Sequence, residues 1–375
     1  MKISSLQENL KNSLAAVGHI AGKNINLPIL NNVMIEAKNG DIKFITTDLE
    51  VGIVCKARGK IEKEGVFTVE AKIISDYISL LPNKKVDLEV DKKNLLIECE
   101  NYKTIIKGQE ADDFPLIPTV DKNIYFKLSI KEFKKILSQV VFAVANSETR
   151  IELSGVYFLF NKEKLTLAAT DSYRLAENEI KIKTNTEEER SVIIPAKTLQ
   201  EVLRILSVLR QENLNEEENE LTFYLSDNQI LFTVANIELV SRLIEGQYPD
   251  YKQIIPLNHK TRAIINKSEL LRAVKAAALF SKTGINDINF DFPQGKNKVI
   301  ISAASGQSGE NITELDATVN GDDNGIVVNY RYLLDGINNI DSEEIVIELT
   351  NSNTPCILKS KTESSYLYII MPIKQ

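Results

Sequence analysis

The sequence predicts an α+β protein built from three repeated domains, each with two helices packed on antiparallel sheets. Three observations lead to this prediction. With 375 residues, the chain is too long for one ordinary core. The same order of predicted elements occurs three times along it. The repeat is also much longer than a solenoid repeat, so each copy can enclose its own core.

Each copy begins with an amphipathic helix that leads into a strand hairpin. In the second copy, Phe133, Ile136, Leu137 and Val140 recur at helical spacing. The hairpin strands are rich in β-branched and aromatic residues, as strands usually are. They are predicted at 33–37 and 44–48, at 156–160 and 167–171, and at 288–292 and 299–302.

A second helix follows a short strand in every copy. Lys72, Lys197 and Arg331 fall at the same position, just after the junction between that strand and the helix. Each copy then continues with further strands and ends in a segment that contains proline. These patterns predict domains at residues 1–120, 121–257 and 258–375.

The composition excludes several classes of protein. No stretch approaches the roughly 20 apolar residues that a membrane-spanning helix needs. The N-terminus has no apolar core of a signal peptide, so we expect a cytoplasmic protein without a membrane partner. Cys55, Cys99 and Cys356 are scattered without a CxxC spacing and are predicted to be small buried hydrophobic residues.

Basic residues are concentrated in the predicted helices. Six helix windows hold 17 Lys or Arg and 6 Asp or Glu, whereas the net charge of the whole chain is −7. The windows are 2–23, 71–85, 129–145, 195–210, 267–282 and 329–339. A protein of negative overall charge can therefore offer a positive surface to phosphates. Because no base-reading motif occurs, any DNA contact is expected to involve the backbone.

The sequence gives no reason to expect an enzyme, a metal site or a cofactor. His19 and His259 lie far apart, with no Cys or carboxylate cluster beside them. Asp48 and Asp171 end equivalent strands, where capping of the following turn explains both residues. One alternative is a metal-dependent nucleic-acid-processing subunit that uses this aspartate pair, although no further acids stand at suitable spacing. Another alternative is a protein-only scaffold.

Four strings resemble those of bacterial DNA sliding clamps, the beta subunits of DNA polymerase III. They are LPILNN at 27–32, ATDSYRLA at 169–176, YPDYKQIIP at 248–256 and YIIMPI at 368–373. The strings occur in the order expected for that family, and the resemblance covers all 375 residues.

The resemblance implies that the chain is half of a six-domain ring, in which two copies pair head to tail. The helices would line the hole and encircle double-stranded DNA without sequence preference. The protein would be a non-catalytic processivity factor of the DNA polymerase III holoenzyme, a DNA-directed DNA polymerase. The implied partners are a clamp loader, the replicative polymerase alpha subunit and other proteins with a clamp-binding motif.

The resemblance also implies a hydrophobic partner-peptide cleft between the second and third domains. Partners would insert a short segment containing Leu and Phe, whose apolar side chains supply most of the affinity. Matched residue by residue, the cleft consists of Leu153, Thr170, Ser172, Tyr173, Arg174, Leu175, Pro249, Ile254, Pro355, Ile369, Ile370, Met371, Pro372 and Ile373.

Two departures from the family pattern bear on this cleft. Ser172-Tyr173 stands where the family more often has Gly-His, and the end Lys374-Gln375 lacks a final apolar residue. These differences predict a narrower cleft floor and a different peptide preference.

Two further sets of residues follow from the resemblance. The predicted DNA contacts are Lys23, Asn24, Lys72, Arg150, Lys197, Arg204 and Lys275. Relatives often place Arg in the loop that contains Lys23 and Asn24. The predicted dimer interface sets Leu279 and Phe280 of one copy against Thr104 and Ile106 of the other, and a strand near 102–107 would pair with an edge strand of the third domain. Thr104 replaces an aromatic residue of some relatives, which predicts a weaker interface.

Overall fold

A computed structural model describes residues 1–22, 25–147, 149–209, 219–363 and 365–374. Lys23 and Asn24, two of the predicted DNA contacts, lie outside these residues. The chain forms two compact units. Unit 1 comprises Met1–Lys131, Ile182–Glu187 and Lys197–Leu243, and unit 2 comprises Glu132–Lys181, Glu188–Ala196 and Ile244–Gln375. The predicted central domain therefore contributes residues to both units.

Six α-helices occur in the described residues, two in each repeat. They are α1 (Gln7–Val17), α2 (Ala71–Leu80), α3 (Ile130–Val141), α4 (Ala196–Val208), α5 (Lys267–Ala278) and α6 (Tyr330–Asn339). All six lie within the predicted windows, which were too long. The end of α2 shows why: Pro82 holds the preceding Leu81 in an extended conformation, so the helix stops at Leu80.

The strands also fall into three sets. The first repeat contains β1 (Lys2–Leu6), β2 (Asn32–Lys38), β3 (Asp41–Thr47), β4 (Val51–Ala57), β5 (Lys60–Lys63), β6 (Gly65–Glu70), β7 (Lys85–Asp91), β8 (Asn94–Cys99) and β9 (Tyr102–Gln109). The second contains β10 (Tyr125–Ser129), β11 (Gly155–Phe160), β12 (Lys164–Thr170), β13 (Arg174–Lys181), β14 (Lys183–Thr184), β15 (Arg190–Pro195), β16 (Glu220–Leu225), β17 (Gln229–Val234) and β18 (Ile237–Arg242). The third contains β19 (Thr261–Asn266), β20 (Asp287–Phe292), β21 (Lys298–Ser305), β22 (Gly309–Gly321), β23 (Asn324–Asn329), β24 (Glu344–Leu349), β25 (Cys356–Ser360) and β26 (Leu367–Ile370).

Each unit is built on one antiparallel sheet that crosses from one repeat into the next. The 14-stranded sheet of unit 1 has the order β14-β10-β16-β17-β18-β4-β3-β2-β6-β9-β8-β7-β1-β5. The 12-stranded sheet of unit 2 has the order β15-β11-β12-β13-β26-β25-β24-β19-β22-β21-β20-β23. We call the pairing of β4 with β18 the first junction and that of β13 with β26 the second junction.

Apolar periodicity explains the cores of both units. Along β2, Val33, Ile35 and Ala37 are buried, and the residues between them are partly exposed. The apolar stripe of α1 buries Leu10 and Leu14 at helical spacing. The α+β class and the threefold repeat of helices and strands predicted from the sequence are confirmed.

The three repeats can be aligned by the first residues of their helices, and the strand pairings then show which strand residues are equivalent. Strands β4, β13 and β22 share a position that is occupied by Gly52, Leu175 and Glu310. Strands β9, β18 and β26 share a position that is occupied by Ile105, Val240 and Ile369. At the first junction Val240 pairs with Gly52, and at the second Ile369 pairs with Leu175. The two junctions therefore have the same register.

Candidate functional site

The turn between β12 and β13 lies at the centre of the candidate site. Thr170 Oγ1 donates a hydrogen bond to the Arg174 carbonyl at 2.6 Å and accepts one from the Ser172 N–H at 3.1 Å. The Asp171 carboxylate accepts hydrogen bonds from the N–H groups of Tyr173 and Arg174 at 2.9 and 3.0 Å. The turn-capping role predicted for Asp171 is confirmed.

The first repeat forms the same turn with its own threonine and aspartate. Thr47 Oγ1 donates to the Val51 carbonyl, and the Asp48 carboxylate accepts from the Val51 N–H, both at 2.8 Å. The third residue of the turn is left-handed in both repeats, with φ of 78° at Leu49 and 79° at Ser172. Glycine adopts this conformation at the lowest cost, so Leu49 and Ser172 hold a strained backbone.

The chain after β26 runs beside this turn. The Met371 N–H donates to the Tyr173 carbonyl at 2.8 Å, and the Ile373 N–H donates to the Val327 carbonyl at 2.8 Å. The pairing of β26 with β13 and the Met371 bond hold this segment against the second repeat, and the Ile373 bond fixes its end to β23 of the third. The predicted cleft residues from both repeats therefore meet within unit 2.

Arg174 ties together the elements around the turn. Its Nε donates to Asp171 at 2.9 Å, its Nη1 to Asp335, and its Nη2 to the Phe142 carbonyl at 3.1 Å. Burial acts to lower the pKa of Arg174, but the nearby Tyr368 phenol and the two carboxylates outweigh it and raise the pKa. The guanidinium therefore stays charged and holds α6, the end of α3 and the turn in one arrangement.

Two tyrosines of the 248–256 segment attach that segment to the sheet. Tyr248 Oη accepts a hydrogen bond from the Thr170 N–H at 3.1 Å, and the Tyr251 hydroxyl donates one to Glu177. Burial raises the pKa of both tyrosines, and Glu177 raises that of Tyr251 further. Both rings pack in one cluster with Leu153, so the segment forms a wall of the candidate site.

The predicted cleft residues separate into a floor, a rim and the segments between them. Leu153, Leu175 and Ile369 are buried together in the apolar cluster that forms the floor. Tyr173 and Ile254 are 62% and 39% exposed and form the rim with Ser172. Partly buried positions are Arg174, Pro249, Pro355, Met371, Pro372 and Ile373. Thr170 is buried in the turn, and the Ile370 side chain lies on the opposite face of β26, near Phe290 and Leu333.

Tyr332 on α6 is a site residue that the sequence analysis missed. Its ring stacks on Tyr173 with centroids 6.3 Å apart, and the Arg174 guanidinium lies 4.7 Å from its centroid. Below it, Gly336 lets the Tyr368 ring approach the helix, since a Cβ at this position would lie 2.2 Å from that ring. Only the equivalence of Tyr332 with the buried Thr198 on α4 could have indicated this contact.

The predicted DNA contacts differ in how strongly they are bound to the protein itself. Lys72 pairs with Asp76 at 2.9 Å and Lys197 with Asp48 at 2.7 Å, and both lysines are more than 70% exposed. Arg150 donates to Ser172 at 2.8 Å. The other two are Arg204, whose Nε, Nη1 and Nη2 all donate to protein acceptors, and Lys275, which is exposed at the end of α5.

The predicted dimer residues lie at one sheet edge and at the end of a helix. Residues 102–107 of β9 pair with β8 on one side, and within the described chain no strand pairs with their other side. Ile106 is buried and Thr104 partly buried, while the neighbouring Ile105 is 64% exposed. Leu279 is 74% exposed after α5, and Phe280 is partly buried.

The remaining features of the described residues concern metals, thiols and membranes. No group of three or more His, Cys, Asp or Glu in this part of the chain could hold a metal ion. Cys55, Cys99 and Cys356 are free and buried, and burial raises the pKa of the Cys55 thiol to about 11. None of the helices described is both long and apolar enough to cross a membrane.

Three family models match the chain in succession. The N-terminal domain of the DNA polymerase III beta subunit matches residues 1–118, the central domain 127–250 and the C-terminal domain 252–374. Together they account for nearly the whole sequence.

Characterised relatives and solved structures agree with these models. The beta sliding clamp of Staphylococcus aureus is 31% identical over 358 residues, which cover 93% of this chain and 92% of the relative. The crystal structure of the DNA polymerase sliding clamp from Bacillus subtilis has a TM-score of 0.92 at 26% identity and covers 100% of this chain and 99% of that one. That of the DNA polymerase III beta subunit from Thermotoga maritima has a TM-score of 0.91 at 27% identity, with the same coverage.

Proposed function

Because the chain belongs to the family of DNA polymerase III beta subunits, the bacterial sliding clamps, we propose that two copies close head to tail into a ring around double-stranded DNA. As a member of this family, the protein is a non-catalytic processivity factor.

The strand edges support the ring. Two junctions of one kind form within the described chain, and the two strands that would form a third of this kind each have an unpaired edge. Each intrachain junction pairs the last strand of one repeat with the strand after the Thr-Asp turn of the preceding repeat. For a third junction, β9 of the first repeat and residues 309–316 of β22 remain. Within the described chain, each of these has a strand partner on one side only. Because they stand at opposite ends of the sequence, a second copy can satisfy both edges.

The exposed face of α2 supports the same arrangement. The equivalent helix α4 buries Thr198, Glu201 and Ile205 to within 5% of full burial at the first junction. The α2 residues at these positions are Ile73, Asp76 and Leu80, and all three are exposed. Ile73 and Leu80 are large apolar side chains, at 47% and 79% exposure, that a third junction would cover.

The shared register of the two intrachain junctions predicts the register between copies. Carried over to the third junction, it sets Ile105 opposite Glu310 and Lys103 opposite Ile312. Cysteines at Lys103 and Ile312 should therefore form an intermolecular disulfide under mild oxidation, because directly opposed residues have suitable Cα separation.

A matched pair of variants tests this register. A chain carrying Lys103→Cys and Ile312→Cys should give covalent dimers, and a chain carrying Lys103→Cys and Asn311→Cys should give few, because neighbouring side chains point to opposite faces. Equal cross-linking in both variants, or none in either, would contradict the head-to-tail ring.

DNA binding is supported by charge. The six helices hold 11 Lys or Arg and 6 Asp or Glu, so they are positive on balance in a chain whose net charge is −7. In the proposed ring these helices line the hole, and topological retention lets the phosphate contacts remain weak enough for sliding. Exposed Lys72, Lys197 and Lys275 are the proposed contacts with the most freedom to reach phosphates, whereas Arg204 would first have to release its protein acceptors.

We further propose that the cleft of unit 2 holds short apolar peptides of the clamp loader, the polymerase alpha subunit and other clamp-binding proteins. A buried apolar floor beside an exposed aromatic rim is the arrangement that such peptides need. The domain boundaries at 120 and 257 and a cytoplasmic location, where bacterial DNA is replicated, belong to the same proposal.

A further inference from the structure

An arginine closes the helix side of the first junction. Arg204 on α4 donates to the carbonyls of Ala15 and Ala16 in the last turn of α1 at 2.7 and 2.6 Å. The same guanidinium binds the carboxylate of Glu201, whose side chain is only 5% exposed. His19, just after α1, lies 2.7 Å from Oε2 of that carboxylate, which Arg204 Nε also approaches. We call this set of bonds the arginine clasp.

A different arginine forms the clasp of the second junction. Asp335 on α6 is equivalent to Glu201, and the basic partner comes from the turn, where Arg174 donates to Asp335 and to the Phe142 carbonyl. Phe142 follows α3 directly and is equivalent to His19. At both intrachain junctions, therefore, an arginine ties an acid on the second helix of one repeat to backbone carbonyls at the C-terminal end of the first helix of the preceding repeat.

The surfaces that the chain offers to a second copy have the acid and the carbonyls of this clasp but not the arginine. The equivalent acid is Asp76 on α2, and the equivalent carbonyls are those of Lys275 and Ala276 in the last turn of α5. Ser79 stands where α4 has Arg204, and Gly309 stands where the second-junction turn has Arg174. Within the part of the chain that the structure describes, the Asp76 carboxylate pairs with Lys72 of its own helix, and both side chains are exposed. Ser79 Oγ donates to the backbone carbonyl of Asp76 at 2.7 Å.

We propose that the contact between copies is built without the arginine clasp that closes both intrachain junctions, and that this omission makes it the junction that opens. The inference rests on the proposed ring. Its physical basis is that hydrogen bonds from a charged group to helix-end carbonyls are among the stronger polar contacts. With equal strand pairing at all three junctions, the one without such bonds separates first.

Introducing an arginine at the equivalent position tests this proposal, because it should strengthen the contact between copies. Ser79→Arg places a guanidinium three residues after Asp76, with the spacing of Arg204 after Glu201. We expect the dimer dissociation constant, measured by dilution of labelled full-length chain, to fall about tenfold or more. The lifetime of the protein on circular DNA, after loading, should lengthen by a similar factor.

Two control variants separate the clasp from a general effect of added charge. Ser79→Gln adds length without charge, and Ser79→Arg combined with Asp76→Asn removes the acid that orients the guanidinium; neither should tighten the dimer. Because Ser79 is exposed, all these chains should fold, which circular dichroism would verify.

The outcomes are distinct for the two proposals. A wild-type chain that stays monomeric at every concentration would refute the ring itself. A wild-type chain that dimerises while Ser79→Arg leaves the dissociation constant unchanged, or tightens it equally without Asp76, would overturn the clasp and leave the ring standing.

Discussion

The first and second junctions share a turn, a register and an arginine clasp, but they expose different side chains at the same two rim positions. At the first, the Arg242 N–H donates to the Glu50 carbonyl, and the two side chains lie within 3.6 Å as an exposed ion pair. At the second, the Met371 N–H donates to the Tyr173 carbonyl, and both side chains are apolar. If the proposed peptide site lies at the second junction, the rim side chains and not the repeated backbone distinguish it from the first.

The two junctions also differ in the residue at the floor position, which is glycine at the first and leucine at the second. At the first, Ile117 of the segment between repeats packs onto Gly52, so that a Cβ there would lie 2.6 Å from it. At the second, the position of Gly52 is taken by Leu175, which is buried in the cluster with Tyr248 and Tyr251.

Exchange of the rim is expected to have the largest effect. Tyr173→Glu with Met371→Arg should weaken binding of a labelled peptide containing Leu and Phe by roughly 30-fold or more, because two apolar contacts are replaced by an ion pair. The measurement is fluorescence anisotropy. The reciprocal control, Glu50→Tyr with Arg242→Met, should leave peptide affinity unchanged; loss of binding in this control would show that the first junction takes part.

Removal of either clasp arginine should destabilise the fold. Arg174→Ala and Arg204→Ala each leave a carboxylate and one or two helix-end carbonyls without their partner, which costs about 2–4 kcal/mol of unfolding free energy. Arg242→Ala is the matched control, since its ion pair is more than 60% exposed and should matter by less than about 1 kcal/mol. Denaturant unfolding measures all three. A loss at Arg242 equal to those at the clasps would contradict this comparison.

Removing the hydrogen bond that attaches the 248–256 segment to the sheet should have a smaller effect on stability. Tyr251→Phe keeps the ring but deprives Glu177 of its hydroxyl donor, which should lower stability by about 1–2 kcal/mol. Ile117→Val, in the apolar segment at the first junction, provides the comparison at about 1 kcal/mol. If Tyr251→Phe left the melting temperature unchanged, the hydrogen bond would not be what holds this wall in place.

Glycine substitutions at the strained turn residues should give the smallest change in the free energy of unfolding. Leu49→Gly relieves a left-handed backbone and should raise the free energy of unfolding by up to about 1 kcal/mol, partly offset by the entropy of glycine in the unfolded chain. Ser172→Gly should gain less, because it also removes the acceptor of the hydrogen bond from Arg150. A larger gain at Ser172 than at Leu49, seen by thermal unfolding, would argue against this order.

The sequence predicted the repeats, the six helices and the capping roles of Asp48 and Asp171, because each depends on local periodicity or turn chemistry. It did not predict Tyr332, since a tyrosine on a helix carries no signal of the ring that stacks on it. Nor did it predict that Arg204 binds α1 rather than facing outward, because a basic residue on a helix has the same pattern in either role. The partner-cleft, DNA and dimer residues remain predictions, supported by where the described residues lie.

Retention on DNA tests the central claim most directly. The protein is loaded onto circular plasmid by its clamp loader with ATP, the plasmid is cut at a single site, and the protein that stays on the DNA is measured at moderate salt. A ring should remain on the circular plasmid. Once the plasmid is cut, the ring should slide off the free ends and be lost from the DNA. Equal release from cut and uncut plasmid, with loading verified beforehand, would contradict encirclement and leave an ordinary weak DNA-binding protein.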